Sequence, residues 1–159
     1  MSVFKIYDAC IFIRFLEEIS FKEVFEEWEK TLTYEQYTTT EILAEVQRDA
    51  RIKLNDLIAR NIIKILDPVP HDELTKINSL NPNLSEADCS IFFYARRILD
   101  PICLTDEYPL REICIENLVE THGTFGIYLK LKRDTTFPLD YIDKKFKKFE
   151  HNPRVFPST

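Results

Sequence analysis

Four acidic side chains, Asp8, Glu45, Asp88 and Asp106, stand at positions suited to chemistry. Asp8 closes a short β-branched and aromatic run, residues 3–7, and is followed by the apolar residues 9–13, so its carboxylate is expected to be partly buried. Asp106, with Glu107 next to it, follows the apolar run 101–104 in the same manner. Glu45 lies one turn inside a helical stretch and Asp88 at the start of another. Carboxylates brought together repel unless a proton, a basic neighbour or a divalent cation holds them. A set of oxygen donors without histidine or thiolate suits a hard ion, Mg²⁺ or Mn²⁺. Such an ion lowers the pKa of a bound water and stabilises the charge that develops on a phosphodiester during in-line attack, which is the chemistry of a metal-dependent nuclease. The same residues also fit a plainer role. Asp88, Asp106 and Glu107 all fall in first helical turns, where an acid gains about 0.3–1 kcal/mol from the helix dipole. Glu45 fits an exposed helix position, and Glu41, one turn earlier, competes for its role.

The elements that must position these acids alternate along the chain. A strand over 3–7 leads into helical spacing over 11–19 and 21–32. A strand end at 36–39 precedes a helix capped by Thr39 or Thr40 and running through Leu54, and 62–66 is the next strand, closed by Asp67-Pro68. A helix over 71–80 ends at the turn Asn81-Pro82-Asn83, and Ser85-x-x-Asp88 opens another as a capping box. A strand over 101–104, a helix opened by Thr105-Asp106-Glu107, a strand over 117–121 and a helix over 123–132 complete the pattern. Strands alternating with helices at this spacing predict an α/β protein, a three-layer α/β/α sandwich around a mostly parallel sheet. In such sheets ligands bind beyond the carboxyl ends of the strands, where Asp8 and Asp106 fall.

Several separated motifs, taken in order, resemble the PIN-domain family over most of the chain. Ile6-Tyr7-Asp8-Ala9-Cys10-Ile11-Phe12-Ile13 resembles its opening strand and aspartate, and Tyr37-Thr38-Thr39-Thr40-Glu41-Ile42-Leu43-Ala44-Glu45-Val46 its helix with the second acid. Leu84-Ser85-Glu86-Ala87-Asp88, followed by Ile91 and Ala95, resembles the third motif. Leu104-Thr105-Asp106-Glu107 resembles the family's threonine-aspartate-acid turn, and His122-Gly123-Thr124-Phe125-Gly126-Ile127 its Gly-Thr helix start. The resemblance implies an Mg²⁺- or Mn²⁺-dependent ribonuclease with Asp8, Glu45, Asp88 and Asp106 as metal ligands and catalytic acids. It further implies Thr105 as a hydroxyl bracing the site. Glu107, standing where many members have an aspartate, and Glu41 are supporting acids. Three settings fit the resemblance: the toxin of a toxin–antitoxin pair, silenced by a partner polypeptide and often dimeric; a nuclease of ribosomal RNA maturation; and a stand-alone protein of RNA turnover. The rival from another class is a non-catalytic scaffold binding RNA or protein, its acids serving as caps and ion-pair members.

An acidic site repels its own substrate, so basic residues must hold the phosphates. Arg14, about two helical turns past Asp8, and Arg111, about one turn past Glu107, are the better placed. The charge is unevenly spread: residues 1–129 hold 13 Lys and Arg against 23 Asp and Glu, and residues 130–159 hold 8 against 4. Lys144 and Lys147, in the run Lys144-Lys145-Phe146-Lys147-Lys148-Phe149, therefore read either as a phosphate-contacting strip or as the solvated face of an amphipathic helix.

Composition bounds the rest. With 159 residues, 45% of them hydrophobic, the chain can bury a core without disulfide or metal staples and reads as one domain over 1–159, with a basic helix and tail at about 134–159. Two glycines exclude a phosphate-cradling glycine-rich loop. A phospho-receiver reading fails because Thr121-His122-Gly123 offers no lysine after the last strand. The four cysteines form no C-x-x-C pair and read as reduced core thiols, and no signal peptide or membrane span fits, so a cytoplasmic protein is expected.

Overall fold

The computed structural model describes residues 3–30 and 34–156. Its centre is β1 (Val3–Tyr7), paired in parallel with β2 (Tyr34–Thr39) on one side and β4 (Pro101–Leu104) on the other. β3 (Lys64–Leu66) extends the sheet beyond β2 and β5 (Glu120–His122) beyond β4, giving the all-parallel order β3-β2-β1-β4-β5. Parallel neighbours require a crossover, and helices supply each one. The result is the expected α/β/α sandwich. The chain builds outward from β1 in one direction and then resumes on the other side, so the switch in strand order falls between β1 and β4. In register Tyr7 lies opposite Leu104 and Leu104 opposite His122, so Asp8, Thr105 and Gly123 follow one another along a single edge.

The helices are α1 (Ala9–Ile13), α2 (Glu23–Glu29), α3 (Thr40–Glu45), α4 (Arg48–Ala59), α5 (His71–Leu80), α6 (Glu86–Ala95), α7 (Tyr108–Glu116), α8 (Thr124–Asp134) and α9 (Leu139–Phe146). α1 widens into a π turn over Arg14–Glu18, closed by the Ile19 N–H donating to the Arg14 carbonyl at 3.0 Å. Residues 31 and 32 of the helix expected over 21–32 lie outside the described residues.

Several expectations change. The strand expected over 62–66 is only Lys64–Leu66, and α7 starts at Tyr108 with Glu107 as its N-cap, so neither Asp106 nor Glu107 lies in its first turn. The helix expected from 40 to 54 breaks after Glu45, where Val46 and Gln47 are extended, and α4 restarts at Arg48 with φ 56. Val46 is fully buried, so its place in the core outweighs helical continuity there, and the Arg51 guanidinium donates to the freed Leu43 and Val46 carbonyls. The strand expected over 117–121 is only Glu120–His122. Asn117 caps α7 and Leu118 turns the chain at φ 60.

Aromatic rings tie the C-terminal segment to the core. Phe146 packs edge-on against Phe15 at 5.6 Å and Phe21 at 6.3 Å between centroids. Of the basic run, Lys145 donates to the Ser20 carbonyl at 2.8 Å and Lys148 to that of Glu18 at 3.1 Å, while Lys144 and Lys147 are exposed. The run therefore divides into a pair that anchors the segment and a pair that faces solvent. Among the described residues no helix is long and apolar enough to cross a membrane.

Candidate acidic site

Asp8 leaves β1 with its N–H bonded to the Leu104 carbonyl at 2.9 Å, which locks the first residue past the strand against β4. Its side chain is 2% exposed. Oδ1 accepts from the Ala9 N–H at 2.7 Å, capping α1, and Oδ2 accepts the Thr105 hydroxyl at 2.6 Å and the Cys10 thiol at 3.5 Å. These bonds favour the anion, yet burial, followed by the charge of Asp88, pushes the carboxyl up to about 7. The Thr105 oxygen in turn accepts the Glu107 N–H at 3.0 Å, so one buried hydroxyl joins the first acid to the turn after β4.

Asp88 is the third residue of α6. It accepts the Ser85 N–H at 3.2 Å while its own N–H donates to the Ser85 hydroxyl at 3.1 Å, the capping box expected from the sequence. Burial raises its pKa against the lowering effect of Ser85. Glu45 ends α3 at the surface, and its pKa is raised by burial, then by Asp88 and by Glu107. Asp8, Asp88, Glu45 and Glu107 thus form a chain of mutually repelling carboxylates, and none of them enters an ion pair among the described residues.

Asp106 points elsewhere. It accepts from Arg14 Nη1 at 2.8 Å, from the Thr124 N–H at 2.8 Å and from the Thr124 hydroxyl. A Cβ on Gly123 would overlap the Asp106 carboxylate and lie 3.2 Å from Arg111 Nη1, so only glycine permits this approach. Arg14 is committed to this pair as well, and its guanidinium is not a free phosphate contact. Glu41 also turns away, accepting the Thr40 hydroxyl at 2.9 Å and the Val69 N–H at 3.3 Å.

Two participants escaped sequence reading. Cys10 is not a core thiol: it is only partly buried, donates to Asp8 and accepts the Asp106 N–H at 3.4 Å. Its place two residues after the strand-end aspartate, in the first turn of α1, was the available signal. Thr124 is the other. It stands in the Gly-Thr motif and clamps Asp106 through both its N–H and its hydroxyl.

The donor chemistry fits a hard divalent cation, since the cluster is all carboxylate and its own charge is uncompensated. Among the described residues, however, no three His, Cys, Asp or Glu side chains stand close enough together to grip one ion as they are. Compared with known families, residues 6–155 match the family described as PIN domain. No curated protein matches the chain.

Proposed function

The chain belongs to the PIN-domain family, a nuclease-type fold, and on that premise we propose that its acidic crevice hydrolyses RNA phosphodiesters with an Mg²⁺ or Mn²⁺ ion. The observation that carries this reading is Asp8, buried at the switch in strand order and held by Thr105, in the field of the Asp88 charge and with no ion pair among the described residues.

Asp8, Asp88 and Glu45 would hold the ion. Glu107 takes the fourth place instead of Asp106, because it shares the field of Glu45 while Asp106 is spent on Arg14 and Thr124. When bound, the ion supplies an activated water and stabilises charge on the phosphate. The protein does the rest. Thr105 fixes the rotamer of Asp8 and the start of α7 together, and the Arg14–Asp106–Thr124 cluster fixes the start of α8 beside them. Glu45 and Glu107, both exposed, form the solvent edge at which a substrate enters. We attach the toxin setting to this activity, because an arginine of a partner polypeptide would find the same exposed carboxylates.

The test is cleavage of a labelled mixed-sequence single-stranded RNA with and without chelator, with the product ends identified. Metal-dependent cutting without 2′,3′-cyclic phosphate is expected, as attack by water requires. Cutting that persists in chelator, or that yields cyclic phosphate, overturns the reading.

A further inference from the structure

We propose that the groove leading from the acidic crevice along the start of α8 to the C-terminal segment seats the single-stranded RNA beside the scissile bond, with Arg111 and Arg154 on a phosphate and Phe125 and Phe156 against a base. The proposal rests on the nuclease reading above and adds residues that take no part in the chemistry.

Three cavities run into one another along this path. One of about 680 Å³ opens at Glu107 and the outer side of α7. It shares Asp106, Arg111 and Arg154 with a second of about 350 Å³, lined also by Gly123 and Phe125. Phe125 then borders a third of about 660 Å³, between Tyr128, Lys144, Lys147 and Phe156. In the middle cavity the Asp106 charge is already balanced by Arg14, which leaves the guanidinium groups of Arg111 and Arg154 in excess there, while the outer cavity that both also line carries Glu107, Glu112 and Glu116. Neither forms an ion pair among the described residues.

Beyond them lies an aromatic shelf. Phe125 and Tyr128 stack at 6.2 Å with 28° between their planes, and Phe156 meets them edge-on at 5.3 and 5.2 Å. All three rings are half-buried, so part of each remains open to the groove. Of the two acids on the same wall, Asp143 is occupied by the Tyr128 hydroxyl at 2.6 Å and Lys132 at 3.3 Å, and Glu150 is exposed beside the exposed Lys144 and Lys147, which outnumber it. Cations interleaved with flat rings match a polyanion whose bases are free to stack, and a duplex hides those base faces. Continuity with the acids, in a chain whose C-terminal segment alone is basic, selects RNA as the occupant.

The experiment measures affinity of the full chain for a fluorescent RNA of about 12 nucleotides, by anisotropy in chelator over a range of salt. Wild type is set beside Arg154→Ala, Arg111→Ala and Phe125→Leu, each with a melting curve. Arg154 is exposed, so its loss leaves the core intact. Each arginine variant is expected to bind about three- to tenfold more weakly and to lose about 0.7 of the log–log salt slope. Phe125→Leu is expected to weaken the single strand about tenfold, leave the slope unchanged and leave duplex binding untouched. In cleavage these changes raise KM and spare kcat. Both arginine variants binding as wild type, no binding of single strands by wild type, or displacement of the RNA by an equal concentration of polyglutamate would overturn the proposal, the last in favour of an acidic protein partner. Binding is read without metal. A chain that binds RNA through these residues and never cuts it fails the nuclease reading alone, and one that cuts but ignores the substitutions fails this proposal alone.

Discussion

Arg14 Nη1 donates to Asp106 Oδ2 at 2.8 Å, in a pair whose side chains are 17% and 7% exposed. The bond joins the helix after β1 to the turn after β4 across 92 positions of sequence, and Thr124 completes it from the start of α8. Three segments at this edge of the sheet are therefore fastened through one carboxylate.

Asp106→Ala should consequently act on the fold first. Leaving the Arg14 guanidinium partly buried and unpaired is expected to cost about 2–3 kcal/mol in urea unfolding, and Arg14→Ala should add little to it. Manganese affinity measured on folded Asp106→Ala should stay near wild type, while Glu107→Gln should weaken it about tenfold at little cost in stability. The opposite ranking would return Asp106 to the ligand set.

Gly123→Ala tests the same junction by volume. Its φ of −95 suits any residue, so the cost comes from the overlap of the new Cβ with Asp106. A loss of about 2 kcal/mol or more in thermal unfolding is expected, because the carboxylate must leave Thr124 to make room. An unchanged melting temperature would show that the turn relaxes freely.

Which of this was legible in the sequence follows from the range of each interaction. Asp8 stood out because an acid between a strand and an apolar run has nowhere to go but inward, and Ser85-x-x-Asp88 declared its own capping box. The parallel sheet followed from alternation of elements. That Asp106 is engaged by Arg14 and Thr124 was not legible, since both partners are remote from it in sequence and meet it only through the tertiary fold. The helix break at Val46 carries no proline or glycine, so the apolar period ran through it. Arg154 gave no signal because it meets Arg111 only through the tertiary fold.

Two buried groups set the pH dependence of stability, with opposite signs. Lys5, 1% exposed, places Nζ 3.2 Å from the Trp28 ring centroid and 3.9 Å from that of Tyr34, contacts that favour the cation. Burial outweighs them and, followed by the charge of Lys130, lowers its pKa to about 6. Between about 6 and 10.5 the unfolded chain holds the extra proton, so this group makes stability rise with pH. Asp8, raised to about 7, holds an extra proton in the folded state between 3.8 and 7, so its contribution falls as pH rises through that window. In chelator, urea unfolding should show a minimum in stability near pH 6–7. Lys5→Met should flatten the alkaline arm, and Mn²⁺ should flatten the acid arm by binding the Asp8 anion. A steady rise in stability from pH 4 to 10 would contradict the Asp8 assignment, and a steady fall the Lys5 assignment.

Cleavage of labelled single-stranded RNA in Mn²⁺ by wild type beside Asp8→Asn, with melting curves for both, bears most directly on the function. The amide keeps the size of the side chain and removes the charge held against Thr105, 97 positions away in sequence. Metal-dependent cutting by wild type, falling at least a thousandfold in a folded Asp8→Asn, is the expected result. Equal rates for the two proteins would show that the reaction does not pass through this carboxylate.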